Sequence, residues 1–122
     1  MKNEVFHLAR SPYAAALLLA AIAEDELVLW APTTPGREKK LLRVSLPPQL
    51  RGGAWAVFVG AGHVLVADGE AGALFQFTDT ELWLLRSLPP TSRLVAALPT
   101  GSRQQFALLE ANGRLTLHAL AD

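Results

Sequence analysis

The sequence predicts an all-β fold made of three antiparallel β-meanders with about eleven strands. Short apolar stretches alternate with clusters of Gly, Pro, Asn and Asp, which interrupt strands and form turns. Asp68-Gly69 and Asn112-Gly113 are typical of hairpins, because these residue types tolerate the positive φ of primed turns. Ser45-Leu46-Pro47-Pro48 recurs as Ser87-Leu88-Pro89-Pro90, so the chain has an internal repeat with a period of 42 residues.

The 122 residues are expected to form a single domain of three repeats, which span about 4–48, 49–90 and 91–122. The predicted strands of the first repeat are 5–9, 14–23, 26–30 and 41–46. Those of the second repeat are 55–59, 63–67, 73–78 and 81–87. The third repeat supplies only 94–98, 105–110 and 114–120, so its fourth strand is missing. Strands 55–59 and 63–67 are apolar on both faces, which predicts a sheet covered on both sides.

Residues 11–23 are the segment where a helix competes with a strand. Ser11 can cap a helix that begins at Pro12, and Ala and Leu favour helices. Against a helix, the acidic residues 24–26 would lie at the negative end of its dipole. Ala21-Ile22-Ala23 also has the form of a signal-peptidase site, although about ten apolar residues are too few to span a bilayer. We expect a strand and a cytoplasmic protein, with export as the alternative if residues 1–23 are a signal peptide.

The composition excludes several functional classes. Lys and Arg number 11 and Asp and Glu number 11, so the net charge is zero and a nucleic-acid partner is not expected. The chain has no cysteine, which excludes disulfides, thiolate metal sites and a thiol nucleophile. The 51% of hydrophobic residues argues for a packed core rather than a disordered chain. No membrane association is expected.

The residues that carry chemistry do not form a recognisable catalytic or metal-binding motif. His7, His63 and His118 lie on predicted strands without a second ligand at metal-binding spacing, so each is expected to be a hydrogen-bonded strand residue. No serine nucleophile elbow or phosphate-binding glycine motif occurs. The acidic group does not match a calcium loop, and its members are expected to be solvated: Asp68, Glu70, Asp79 and Glu81. No catalytic residue, cofactor or metal is predicted.

Each repeat contains a polar turn followed by a strand that ends in an aromatic residue or histidine, over residues 25–30, 72–77 and 112–118. In these features the repeats resemble WD40-type β-propeller blades. The sequence departs from that family at Ala31, where the family has Asp after Trp, and it lacks the Gly-His dipeptide at its usual place. The resemblance implies three blades around an axis. Independently of it, the large apolar rings of Trp30, Trp55 and Trp83 are expected to be core anchors between the sheets.

Three blades are fewer than the four that a closed propeller usually needs. We therefore expect an incomplete ring that closes as a six-blade homodimer, or a heteromeric complex in which a partner supplies the missing blades. The expected function is a non-catalytic protein–protein interaction or scaffold module of a larger, bacterial-type complex. The candidate partner-binding residues are Arg51, Trp55, Asp68, Glu70, Arg93, Leu115 and Leu117. A small hydrolase or lyase with a pocket at the ring axis is the alternative, and an eleven-strand barrel or irregular sandwich is the alternative fold.

Overall fold

A computed structural model of the chain describes residues 5–12, 18–23, 25–31, 40–50, 55–68, 71–78, 80–88, 93–100 and 104–120. These residues form eleven β-strands and one 3₁₀ turn, and no α-helix occurs among them. The predicted all-β fold and its strand number are confirmed. None of the described segments is a long apolar helix of the kind that crosses a membrane.

The strands form three antiparallel meanders, in which each strand pairs with its neighbours in sequence. Sheet 1 contains β1 (Val5–Arg10), β2 (Leu19–Ala23), β3 (Glu26–Ala31) and β4 (Lys40–Ser45). After the 3₁₀ turn at Pro48–Leu50, sheet 2 contains β5 (Trp55–Gly60), β6 (His63–Asp68), β7 (Ala71–Phe77) and β8 (Leu82–Leu88). Sheet 3 contains β9 (Leu94–Pro99), β10 (Gln105–Glu110) and β11 (Leu115–Ala119). The sheets thus have four, four and three strands over the described residues, as the repeats predict.

The ambiguous segment before residue 24 ends in a strand rather than a helix. Strand β2 (Leu19–Ala23) pairs residue by residue with β3, beginning with Leu19 opposite Trp30. Ala20 and Ile22 are buried, whereas Leu19 and Ala21 are partly exposed, and this alternation is the period of a strand. The helix alternative is therefore wrong for 19–23. Residues 13–17 lie outside the described residues.

Sheet 2 lies in the middle of the molecule and is covered on both faces, as its apolar strands predict. One face packs on sheet 1, in a core whose sheet 2 members include Phe58, Val66 and Phe75. The opposite face carries Leu65 and Leu74 and packs on sheet 3. The three sheets are therefore stacked face to face. The barrel alternative is wrong, because the strands form three separate sheets.

Strands that have the same position in their meanders, first or fourth, lie next to one another in successive sheets. The first strands make a continuous series, since β1 contacts β5 and β5 contacts β9. On the opposite side of the stack, the fourth strands β4 and β8 are in contact. Each sheet is thus placed on the next in the same manner. Only the two end faces of the stack, on sheets 1 and 3, have no sheet over them within the part of the chain that the structure describes.

The predicted Asn112-Gly113 hairpin joins β10 and β11. Gly113 has a φ of +89°, in the left-handed region that L side chains rarely adopt, and its N–H donates to the Glu110 carbonyl at 2.9 Å. The Asn112 side-chain oxygen accepts the Arg114 N–H at 2.8 Å, which closes the turn locally. This turn sets the register of β11 and therefore decides which of its side chains face sheet 2.

Candidate functional site

The candidate functional site is the face of sheet 3 that points away from sheet 2. On β10, Phe106 and Leu108 are buried in the core with sheet 2, so the residues between them point outward. In the strand register, Ala107 lies opposite both Leu98 and Leu117, and these residues share the outward face. We call this surface the sheet 3 outer face. Its members are Ala96, Leu98, Gln105, Ala107, Leu109, Leu115, Leu117 and Ala119.

The sheet 3 outer face is apolar and open. The exposed fractions of Leu98, Leu115 and Leu117 are 46%, 58% and 61%. Ala107 is only 5% exposed, because larger side chains flank it on both neighbouring strands. None of the face's eight members is charged. Single exposed leucines are common, but a contiguous group on one sheet face is a feature of interaction surfaces.

The free edge of β11 is partly blocked. The Leu120 N–H donates to the Gln104 carbonyl at 2.7 Å, so the even-numbered residues of β11 direct their backbone N–H and C=O groups towards β10. The backbone groups of the odd-numbered residues of β11 therefore point away from β10, towards the free edge. At one of them, Ala119, the carbonyl accepts a hydrogen bond from the Arg86 guanidinium of sheet 2. Because the cationic side chain of Arg86 covers this part of the β11 edge, it hinders the addition of another strand there. The outer face is therefore more open to a partner than the edge.

Two histidines lie near Arg86, between sheets 2 and 3. His118 stacks on Phe106 with ring centroids 5.5 Å apart, and its Nε2 is 2.9 Å from the Thr116 hydroxyl. His63 is different, because its Nε2 is buried without a hydrogen-bond partner among the described residues. The expectation of a satisfied strand histidine is thus wrong for Nε2 of His63, although the same side chain hydrogen-bonds to the Leu120 backbone.

Burial lowers the pKa of both histidines below 6.5. For His63, a hydrogen bond to the Leu120 backbone raises the pKa and so opposes the effect of burial, whereas the charge of Arg86 lowers the pKa further. For His118 the charge of Arg86 also lowers the pKa, whereas Glu110 raises it. Protonation of both rings would place three cations in one interface between sheets. The folded protein therefore resists protonation at these positions.

We expect the free energy of unfolding to fall when the pH is lowered from about 7.5 to 5.5. The pKa of each histidine is depressed in the folded protein, so the unfolded chain binds protons first, near the ordinary histidine pKa of 6.5. The contribution of the two neutral histidines to the free energy of unfolding is complete above that pH. It is lost as the pH falls towards their pKa in the folded protein. Urea titrations across this range measure the effect. The double substitution His63→Gln and His118→Gln should flatten the dependence, and an unchanged slope would contradict the prediction.

The structure distributes the predicted partner-binding residues between two places. Leu115 and Leu117 lie on the sheet 3 outer face and are exposed. The second place is the side of the molecule where β5 and β9 begin and β6 ends, and it contains Trp55, Asp68 and Arg93. Trp55 is half-buried and packs against the core between sheets 2 and 3, so its ring contributes mainly to that core. The remaining two candidates, Arg51 and Glu70, lie outside the described residues.

The sequence predictions did not include Leu98, which flanks Ala107 on the outer face. A signal was present, because the stretch 94–98 is apolar on both faces, as the strands of the doubly covered sheet 2 are. The expectation that all three tryptophans anchor the core also needs correction. Trp30 shares the face of sheet 1 that points away from sheet 2, since it lies opposite Leu19 rather than a core residue. Trp83 is half-buried beside a groove.

That groove, of about 460 Å³, lies between β4 and β8. Its lining residues are Leu42, Arg43, Thr80, Glu81, Leu82 and Trp83. They include no histidine and no serine beside a base, so they do not form a nucleophile with its general base. The groove lies beside the fourth strands, β4 and β8. The axial pocket of the hydrolase or lyase alternative would instead be lined by the first strands of the sheets. Among the described residues, no three His, Asp or Glu side chains are grouped closely enough to hold a metal ion.

Comparison with known proteins does not identify a relative: no protein-family model matches the chain, and no curated protein is significantly similar to it.

Proposed function

We propose that the chain is a non-catalytic protein–protein interaction module, built as a partial β-propeller, that binds a protein partner over the sheet 3 outer face. The observation that carries this proposal is the group of Leu98, Leu115 and Leu117, each about half exposed on an uncharged sheet face. The fully buried centre of a protein–protein contact is more apolar than the rest of the protein surface, and this sheet face has that composition.

The stacking of the sheets supports this proposal. In both contacts within the chain, an apolar sheet face is buried against the face of the next sheet. The sheet 3 outer face has the same apolar character but no sheet over it within the described residues. The WD40-like arrangement of the repeats suggests the form of the missing contact, in which a partner supplies the next sheet of the series. A cytoplasmic location is part of the same proposal.

Site-specific photo-crosslinking in cells that produce the full chain tests this function. Leu117 is replaced by a photo-reactive benzophenone amino acid, and the matched control carries the same group at Thr80, which is exposed in the turn between β7 and β8. We expect a discrete covalent adduct with a protein from position 117 and at most a trace from position 80. Absence of an adduct at 117, or equal labelling at both positions, would overturn the proposal.

A further inference from the structure

The opposite end of the stack is a second face, on sheet 1, that has an apolar centre and no sheet over it within the described residues. Because Ile22 and Leu27 are buried against sheet 2, the alternate residues of their strands point outward. Ala21 and Val28 lie opposite each other at the centre of this surface. We call it the sheet 1 outer face, and its members are Arg10, Leu19, Ala21, Glu26, Val28, Trp30, Arg43 and Ser45. Glu26 and Arg43 pair their charges, since Arg43 Nη1 is 3.6 Å from Glu26 Oε1, and Arg10 is a further exposed cation on the outermost strand of this face.

The repeat pattern assigns the sheet 1 outer face a specific role. The aromatic residue or histidine that ends the third strand of each repeat faces the preceding sheet. Phe77 packs in the core with sheet 1 and stacks edge-on against Phe58 at 6.1 Å, and His118 stacks on Phe106, whose ring belongs to the core with sheet 2. Trp30 has the same place in the first repeat. The sheet 1 outer face is therefore the surface on which a preceding sheet would pack.

We propose that the partner is a second copy of this chain, with the sheet 3 outer face of each copy packed on the sheet 1 outer face of the other. This inference rests on the proposed function and specifies its partner. Two such contacts related by a two-fold axis close a ring of six sheets, and closed two-fold assemblies are the commonest oligomers. Because first strands contact first strands from sheet to sheet within the chain, the same stacking between copies would place β11 of one copy over β3 of the other.

The size of the surfaces favours two contacts over one. Three strands about 4.8 Å apart and about five residues long cover roughly 240 Å² on each face. One contact therefore buries roughly 500 Å² over its two faces, and two contacts bury about 1,000 Å². Specific interfaces need about 1,000 Å². A dimer formed by two sheet 3 outer faces alone would reach only about half of this area. Closure through both ends of the stack is thus the arrangement that the available apolar surface supports.

Charge-swap variants test the head-to-tail contact. Leu117→Glu changes the sheet 3 outer face, and Val28→Lys changes the sheet 1 outer face. Each variant alone places an unpaired charge in both contacts. We expect a loss of about 30-fold for each contact, the effect of losing one hot-spot residue, so self-association should be about 1,000-fold weaker than that of the native chain. When the two variants are mixed, one contact is native and the other pairs Glu with Lys. The mixture should therefore form dimers at concentrations at which each variant is monomeric.

Light scattering after size exclusion gives the masses, and thermal unfolding of the monomers shows that each variant is folded. Leu98→Glu is a second sheet 3 variant in case Leu117→Glu does not fold. Dimers that persist with Val28→Lys, or a mixture that stays monomeric, would overturn the head-to-tail contact. A native chain that is monomeric but forms an adduct with a different protein from position 117 would overturn self-association and leave the proposed function intact. No adduct at 117 would remove both.

Discussion

Replacing Phe75 with alanine is expected to lower the free energy of unfolding by about 3–5 kcal/mol, the cost of emptying a large site in a packed core. Phe75 lies on β7 of the middle sheet and is fully buried in the core with sheet 1. Its neighbour across the strands, Val64, is also fully buried, so no solvent can fill the space that the ring leaves. Urea unfolding at pH 7.5 measures the change.

The matched control for this substitution is Thr80→Ala, at an exposed turn position of the same sheet. It should change the free energy of unfolding by less than about 0.5 kcal/mol, as surface substitutions usually do. A native domain of this size has a stability of about 6–18 kcal/mol, so the loss at Phe75 is a large part of the total. A loss below about 1 kcal/mol at Phe75 would contradict the burial of sheet 2 against sheet 1.

The strand order and the middle sheet were predictable from the sequence because their signals are local. The Asn112-Gly113 pair predicts the last hairpin, and the recurring Ser-Leu-Pro-Pro segment marks the ends of the first two meanders. Strands β5 and β6 are apolar at nearly every position, and only a sheet covered on both faces can bury such strands. Each of these arguments needs no more than a few consecutive residues.

The environment of Arg86 was not predictable, because it depends on three strands that are distant in sequence. Arg86 lies on β8, His63 on β6 and His118 on β11, and the stacking of sheet 3 on sheet 2 brings them together. A sequence pattern on one strand shows which side chains share a face but not which face a later sheet will cover. For the same reason the outward position of Trp30 and the exposure of Leu98 were missed.

The stack separates the residues that stabilise the fold from those proposed to bind a partner. Sheet 2 contributes both of its faces to buried cores, so its side chains are committed to stability. Sheets 1 and 3 each contribute one face to a core and have a second face outside it, which is apolar on sheet 3 and mixed on sheet 1. A substitution such as Leu117→Glu can therefore weaken association without emptying a core, whereas a substitution in sheet 2 acts on folding first.

Replacing Phe106 with alanine is expected to cost a similar amount, about 3–5 kcal/mol, but to act on a different part of the molecule. Phe106 is fully buried in the core between sheets 2 and 3, and its loss also removes the ring on which His118 stacks. In a stack of sheets each unit is stabilised mainly by its neighbours, so the loss falls first on the terminal sheet. Amide protons of β9, β10 and β11 should exchange faster, while those of β2 and β3 keep most of their protection.

Hydrogen exchange at residue resolution distinguishes this outcome from that of Phe75→Ala, which should lower protection in all three sheets together because it weakens the middle one. Equal loss of protection in β3 and β10 after Phe106→Ala would show that the chain unfolds only as a whole. Local opening of sheet 3 also has a consequence for binding. It would deform the sheet 3 outer face, so self-association should weaken in Phe106→Ala even though Leu98, Leu115 and Leu117 are unchanged.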